Sequence, residues 1–334
     1  MAAAAERGAE LLRAVPLGTR TFAGVRRGDA LVAAWLGAEE AARLGALGGP
    51  REAALRFARS GDMAAAEHAM GYARAGLGSR ALSPGAMLLA RSLHHAAEAY
   101  LHYRNGFHDD AVREVEAALA CNDTASDEHR YPGAEARRLH LAHVMVRVLR
   151  VRGDDPLAVV ETVSRLWRYV EGGEACWPLA PLARPPVPVD PRMAAITLNE
   201  IVTEAAVLMG EHRELAGDAL AVLRPHLTVP ADGGEDVAAY PRAWLRLKAL
   251  RHGGAAEPFL SAAAEFLAEV DGPRPLLWFS ALADAHHVCV AMGSRAARAA
   301  AERIARAAEG VPGDVPACLR IAAGEPAEPA RAGV

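Results

Sequence analysis

Lysine is nearly absent from this chain of 334 residues, because Lys248 is the single lysine among 37 basic side chains. Arginine carries the remaining positive charge, a bias typical of a GC-rich genome, so the number of arginines alone indicates no guanidinium chemistry. With 41 acidic residues the formal net charge is -4. The positive field that supplies most non-specific affinity for nucleic acids is therefore missing. The composition disfavours a protein that binds DNA or RNA.

Cysteines and long hydrophobic runs are also scarce. The four cysteines lie far apart without a CxxC pair, which disfavours a disulfide framework and a zinc ribbon. Runs without a charged residue reach about ten residues, well under the roughly 18 that span a bilayer. Residues 1–13 combine alanines with Glu6, Arg7 and Glu10 and lack the pattern of a signal peptide. These features predict a soluble, cytoplasmic protein without a membrane span.

Aromatic residues make up only 5% of the chain, whereas alanine occurs 77 times and dominates the 52% of hydrophobic residues. Small side chains let two helices approach at the short end of the usual spacing of about 8–10 Å. The composition therefore predicts thin seams between closely packed helices in place of a thick aromatic core. Ala66, Ala111 and Ala158, each five residues after a glycine, are expected in such seams.

An internal repeat organises the sequence. Glycines followed by small or acidic residues and then by an alanine-rich stretch recur about every 40 to 57 residues, at Gly61, Gly106, Gly153, Gly210, Gly253 and Gly293. Apolar residues at helical spacing precede and follow these glycines, as in Ala111, Val115, Ala118 and Leu119. Each unit is therefore predicted to be a helix, a glycine turn and a second helix, because a repeated amphipathic helix buries its apolar face against its neighbours.

The unit from Tyr100 to Asp123 resembles the tetratricopeptide repeat in its turn (Asn105 to Ala111) and in its second helix (Ala118 to Asp123). About two units of the chain carry this resemblance. It implies an all-α fold of stacked antiparallel helix hairpins that form a right-handed α-solenoid, and the spacing leaves open whether the solenoid curls toward a toroid. In such arrays the stacked hairpins create a continuous concave binding surface.

Five segments are predicted from these patterns. Residues 1–27 form an N-terminal helix and loop, and residues 28–176 form an N-terminal helical-repeat half. The proline-rich residues 177–192 form an extended linker or a lid. Residues 193–321 form a C-terminal helical-repeat half, and residues 322–334 form a disordered tail.

Histidines are clustered, and one cluster has a spacing that suits a metal. His95, Glu98 and His102 are three and then four residues apart, which places two imidazoles and one carboxylate on one helical face. Packed or solvated histidines produce the same spacing more often than metal sites do. No HExxH, GxSxG, Walker or GxGxxG motif occurs. We therefore predict no metal, no cofactor and no catalytic residue, with the triad as the alternative metal site.

The presumed first helices of the repeats carry polar and aromatic residues that would line a concave groove. These residues are Tyr100, Tyr103, Arg104, His140, Arg147, Asn199, Thr203, Arg242, Arg246, Asp284 and His287. Tyrosine and arginine are enriched at protein interfaces. The leading hypothesis is a non-enzymatic, cytoplasmic interaction module that binds a peptide or partner protein, with a regulatory or accessory role in a bacterial biosynthetic pathway. A homodimer is compatible with it.

The alternative is a helical-toroid enzyme, namely a lyase, a cyclase or a metal-dependent oxidase. Its pocket would use His95, Glu98, His102, His140 or His287. An enzyme of this class would bring the histidine clusters together in one pocket, whereas a binding module would not.

Overall fold

A computed structural model describes residues 9–10, 28–79, 82–172, 177, 179, 190–228, 236–268, 276–308 and 316–319. These residues form helices and turns, with no β-strand among them. The all-α prediction is confirmed. The predicted N-terminal helix and loop (1–27), the proline-rich linker (177–192) and the tail (322–334) lie largely or wholly outside the described residues.

Contacts divide the chain into two units, which we call the N-terminal unit (Gly24–Asp155 and Pro185–Thr197) and the C-terminal unit (Met1–Ala23, Pro156–Arg184 and Leu198–Val334). The N-terminal unit contains α1 (Gly28–Leu36), α2 (Ala38–Ser60), α3 (Met63–Ser79), α4 (Pro84–Arg104), α5 (His108–His129) and α6 (Ala134–Arg152). Consecutive helices pack against each other, and α4 also packs against α2.

The C-terminal unit contains α7 (Pro156–Val170), α9 (Ala216–Leu223), α10 (Ala239–His252), α11 (Ala256–Ala268), α12 (Leu276–Met292) and α13 (Arg295–Ala308). Short 3-10 turns cover Arg213–Leu215, Arg224–Leu227 and Ala317–Leu319. The helix α7, which falls in the predicted N-terminal half, groups with this unit because it packs against α9 and the turn at 224–227. Consecutive helices from α9 to α13 are in contact.

The helix α8 (Pro191–Glu211) crosses the division between the units at residues 197 and 198. It begins two residues before the predicted start of the C-terminal half. Asp190 Oδ1 accepts hydrogen bonds from the backbone N–H groups of Arg192 and Met193, which is the usual N-terminal cap of a helix. By length and composition α8 is the one described helix that is long and apolar enough to span a membrane, and 67% of its most apolar stretch is buried inside the protein.

Several of the repeat glycines end helices as predicted. Gly61 and Gly153 follow α2 and α6 with φ of 87° and 88°, a left-handed conformation that L-residues with a side chain rarely adopt. Gly106 and Gly293 also have positive φ. In the fifth turn the left-handed residue is Gly254, while Gly253 has φ of -69°.

The helix break predicted at Gly210 is displaced by one residue, because Gly210 is the penultimate residue of α8, which ends at Glu211. The reason for glycine there is a close contact, since a Cβ at this position would lie 3.2 Å from Cys318 Sγ. Cys318 Sγ also lies 3.7 Å from the carbonyl oxygen of Val207. The segment 316–319 therefore packs directly on the last turns of α8.

The core of the N-terminal unit is rich in alanine. One cluster joins α2, α3 and α4 through six alanines, Met70 and Leu101. Ala66 and Ala111 are buried as predicted. Ala158 is exposed, because α7 buries its valine and tryptophan face instead. The prediction of thin, alanine-lined seams therefore describes the N-terminal unit.

The core of the C-terminal unit differs from that prediction. Trp167, Trp244 and Trp278 are all fully buried, together with Phe259 and Phe266. Few aromatic residues suffice for an aromatic core when they are concentrated in one unit, because each buries roughly 150–250 Å². A low aromatic content averaged over the chain conceals this concentration.

Candidate functional site

The histidines of the proposed metal triad on α4 have separate partners. His95 Nδ1 lies 2.7 Å from Glu114 Oε2 of α5. Glu98 contacts His94 Nε2 at 3.3 Å and accepts a hydrogen bond from Arg74. Burial would raise the pKa of Glu98, but the hydrogen bonds from His94 and Arg74 lower it. His102 packs edge-on against the ring of Phe107. The structure therefore does not bring the three predicted ligands together.

The predicted groove residues at the end of α4 form a local cluster. Tyr100 and Tyr103 stack with ring centroids 6.1 Å apart. Arg104 donates to Tyr100 Oη at 3.1 Å, and Tyr100 packs on the alanine core of the N-terminal unit. Tyrosines 100 and 103 are half-buried, whereas Arg104 is exposed.

Other predicted groove residues face inward or pair with neighbours. Arg147 Nη2 lies 3.0 Å from His143 Nε2, and His140 is exposed on the same helix, α6. On α8, Thr203 is buried and its hydroxyl donates to the carbonyl oxygen of Asn199 at 2.7 Å. Asn199 Oδ1 is buried without a hydrogen-bond partner among the described residues.

Arg242 is a buried structural residue of the C-terminal unit. It is 1% exposed and donates to Glu171 Oε1 at 2.6 Å, to Asp236 and to the backbone carbonyls of His226 and Thr228. Burial would lower the pKa of Arg242, but the two carboxylates raise it. A buried charge that is fully paired leaves no guanidinium donor for a ligand, so its placement in a groove is wrong. Arg246, one turn later, is exposed.

The same network contains a serine, a histidine and a glutamate in the order of a catalytic triad. Ser164 Oγ lies 2.9 Å from His226 Nε2, and His226 Nδ1 lies 3.6 Å from Glu171 Oε2. Ser164 is 7% exposed and His226 is 2% exposed, with its ring stacked on Trp167. A nucleophile must reach its substrate, so this buried arrangement supports packing and not acyl transfer.

Two predicted groove residues, Asp284 and His287, line a cavity of about 1000 Å³ in the C-terminal unit. This volume is at the upper end of the range of roughly 300–1,000 Å³ that ligand sites occupy. The end of α8, the turn at 213–215, α9, α10, α12 and the segment 317–319 supply its walls. The lining residues are Met209, Gly210, Arg213, Glu214, Ala216, Leu220, Lys248, Arg251, His252, Ser280, Ala283, Asp284, His287, Ala291, Cys318 and Leu319.

Polar contacts fix the wall that α10 and α12 form. Lys248 Nζ lies 2.5 Å from Asp284 Oδ2 and 5.6 Å from the centre of the Trp244 ring. Trp244 Nε1 donates to Ser280 Oγ at 3.2 Å. The ammonium of Lys248 therefore lies between the Trp244 indole and the Asp284 carboxylate. The indole is buried and so held in place by its packing. This wall therefore has a defined geometry before any ligand binds.

His287 responds to the charges around the cavity. Burial lowers its pKa, the carboxylate of Asp284 raises it, and Arg213, Arg251 and Lys248 lower it further. The neighbouring His286 also has a lowered pKa, through burial and the nearby His287. His287 is therefore mainly a neutral imidazole near pH 7, able to donate or accept a hydrogen bond.

Of the residues that line the cavity, only Asp284 and His287 are predicted from the sequence. Lys248 carries the clearest signal, because it is the single lysine in a chain whose other basic residues are arginines. Arg213, Arg251 and Cys318 carry no local signal, since only tertiary contacts bring their segments to α12. Neither a protein-family model, nor a curated protein, nor a solved structure matches the chain.

Proposed function

We propose that this protein is a helical-repeat binding module that acts in the cytoplasm and holds a peptide segment of a partner protein in the cavity of its C-terminal unit. The tetratricopeptide-like solenoid is part of the same proposal. It is supported by the contacts between consecutive helices and by left-handed glycines at four of the predicted turns. The cavity is the observation that carries the proposal.

The cavity combines two kinds of wall, as peptide recognition requires. Met209, Leu220 and Leu319 provide apolar surface that removes an apolar ligand side chain from water. Lys248 and Ser280 belong to the polar wall, where side chains orient a ligand. Since packed helices hold both walls, a ligand would spend little binding free energy on ordering the site.

The second candidate is an enzyme of the alternative class, and His287 is the observation that favours it. A neutral imidazole in a cavity is suited to accept a proton. The nearby cations Arg213, Arg251 and Lys248 would stabilise the resulting negative charge on a substrate. The binding module is preferred because Asp284, the carboxylate whose charge acts on His287, is already paired with Lys248.

The test is to select peptides from a random phage-displayed library on the full chain and to measure their affinity by fluorescence polarisation. Ala291 is exposed and lines the cavity. Ala291→Trp would occupy part of the cavity and weaken the selected peptides at least about tenfold, or roughly 1.4 kcal/mol. Ala249→Trp, at an exposed position of α10 outside the lining, is the matched control and leaves the affinity unchanged.

Equal affinities of both variants, or a selection that enriches no peptide, would count against the binding module. Mass spectrometry of the bound peptide after prolonged incubation separates the two candidates. An unchanged peptide supports a binding module. A chemical change that disappears in His287→Gln identifies the enzyme.

A further inference from the structure

The charge of the cavity is opposite to that of the chain. Three cationic side chains, Arg213, Lys248 and Arg251, face two acidic ones, Glu214 and Asp284, so the lining has a formal charge of +1 when its histidines are neutral. The whole chain carries -4. Salt screens the negative charges that lie more than about 8–10 Å from the cavity. An anion close to the cavity is therefore attracted by the local positive charge, although the whole protein is negative.

The three cations come from two separate elements. Arg213 belongs to the turn after α8, whereas Lys248 and Arg251 lie on α10. Their charges all act on the His287 imidazole of α12 and lower its pKa, after the larger effect of burial. The fold therefore concentrates positive charge beside His287.

Pairing within the protein leaves two guanidinium groups available. Asp284 is occupied by Lys248, and Glu214 Oε1 lies 3.6 Å from His212 Nδ1. Arg213 and Arg251 have no ion pair or side-chain hydrogen bond within the described part of the chain, and both are exposed at the cavity. A guanidinium presents several N–H donors in a fixed plane, a geometry that matches the oxygens of a carboxylate or a phosphate.

The remaining wall is apolar. Met209 and Leu220 lie on α8 and α9, and Leu319 is supplied by the segment that packs on α8. Anionic and apolar recognition are therefore combined in one cavity. A ligand that fits both parts has a charged head and an apolar body.

On the basis of the proposed function, we propose that the ligand of this cavity is an amphipathic anion whose carboxylate or phosphate group binds Arg213 and Arg251 beside His287. Its apolar part packs against Met209, Leu220 and Leu319. In a peptide ligand, this is an acidic or phosphorylated residue, or the terminal carboxylate, next to an apolar side chain. Lys248 stays paired with Asp284 and adds to the positive field.

The test uses three probes with the same six-carbon apolar chain, namely heptanoate, hexyl phosphate and hexylamine, with ligand-observed NMR on the full chain. We expect at least one of the two anions to bind at least about tenfold more tightly than hexylamine, and added salt to weaken that anion. The Arg213→Gln/Arg251→Gln double variant should lose at least about tenfold in affinity for it. Arg246→Gln, at an exposed arginine of α10 outside the lining, should change nothing.

The ranking of the anions identifies the source of the charge, since a carboxylate site prefers heptanoate and a phosphate site prefers hexyl phosphate. Hexylamine binding as tightly as both anions, or an unchanged affinity in the double variant, overturns the inference. Selected peptides that lose affinity in Ala291→Trp but not in the double variant overturn the anionic inference and leave the proposed function standing. Peptides insensitive to Ala291→Trp overturn the proposed function itself.

Discussion

Arg242 and Arg246 lie one helical turn apart on α10, and only Arg242 is buried. The helical pattern places both on one side of the helix, because residues four apart share a face. Their surroundings differ because Glu171, just after α7, and Asp236, just before α10, both pair with Arg242. The role of each arginine is thus set by its neighbours in space.

Arg242→Ala is expected to destabilise the protein by about 3–5 kcal/mol, because it empties a fully buried position and removes the guanidinium donor from the partly buried Glu171 and from two backbone carbonyls. Arg246→Ala at the exposed position should stay within about 0.5 kcal/mol of the wild type. Urea unfolding followed by circular dichroism measures both. Similar effects in the two variants would show that the buried network does not contribute as described.

At the scale of the helices, a glycine ends α2, whereas another glycine lies inside α3 and weakens it. Gly61 terminates α2 with φ of 87°. The N–H of Asp62 donates to the carbonyl oxygen of Phe57, which closes a six-residue turn typical of a helix C-terminus. Gly71 lies inside α3 on an exposed face. A Cβ at either position would meet no atom within 4 Å, so only the backbone conformation distinguishes the two.

Gly61→Ala should therefore lower the free energy of unfolding by about 1–2 kcal/mol, because alanine is strained in the left-handed region. Gly71→Ala should raise it by about 0.5–1 kcal/mol, since alanine loses less backbone entropy in a helix. Thermal and urea unfolding of the two variants provide the comparison. Changes of the same sign would contradict the assignment of the α2 terminus.

Helix ends are only partly readable from the sequence. Gly61 and Gly153 follow apolar helical stretches and end them as predicted. Gly210 has the same sequence context but is still helical in the last turn of α8, where its lack of a side chain admits Cys318. The contact between Gly210 and Cys318 joins residues 108 positions apart and leaves no local signal in the sequence. The glycine repeat therefore predicts the same turn for a glycine that ends a helix and for one that admits a distant side chain.

At the scale of the whole molecule, several titrations act on stability in the same direction. The pKa values of Glu98, Asp154 and Glu171 are lowered by their hydrogen-bonded partners, against the opposing effect of burial for each carboxylate. Burial lowers the pKa values of His286 and His287. In every case the unfolded chain binds a proton more readily than the folded one, so acidification favours unfolding.

The free energy of unfolding should fall as the pH is lowered from about 7 to about 5, because the histidines of the unfolded chain take up protons below about 6.5. The free energy of unfolding should fall further below about pH 4.5, because there the carboxylates of the unfolded chain take up protons. The His286→Gln/His287→Gln variant should flatten the first part of this profile. An unchanged slope in the double variant would contradict the lowered pKa values. Urea unfolding at a series of pH values gives the profile.

The two units use different cores, which an average composition hides. Alanines dominate the cluster that joins α2, α3 and α4 in the N-terminal unit. Buried tryptophans and phenylalanines fill the C-terminal unit. The cavity lies in the unit with the aromatic core, where Trp244 supports Lys248 and Ser280.

The sequence by itself determined that the described chain is helical and where several helices end, because helical periodicity and glycine conformation act over a few residues. It also pointed to Asp284 and His287. Only the tertiary structure buried Arg242, gave His95 and Glu98 different partners and placed Arg213, Lys248 and Cys318 around one cavity. Such contacts join residues far apart in the chain, and their energies depend on packing and desolvation that no local pattern records.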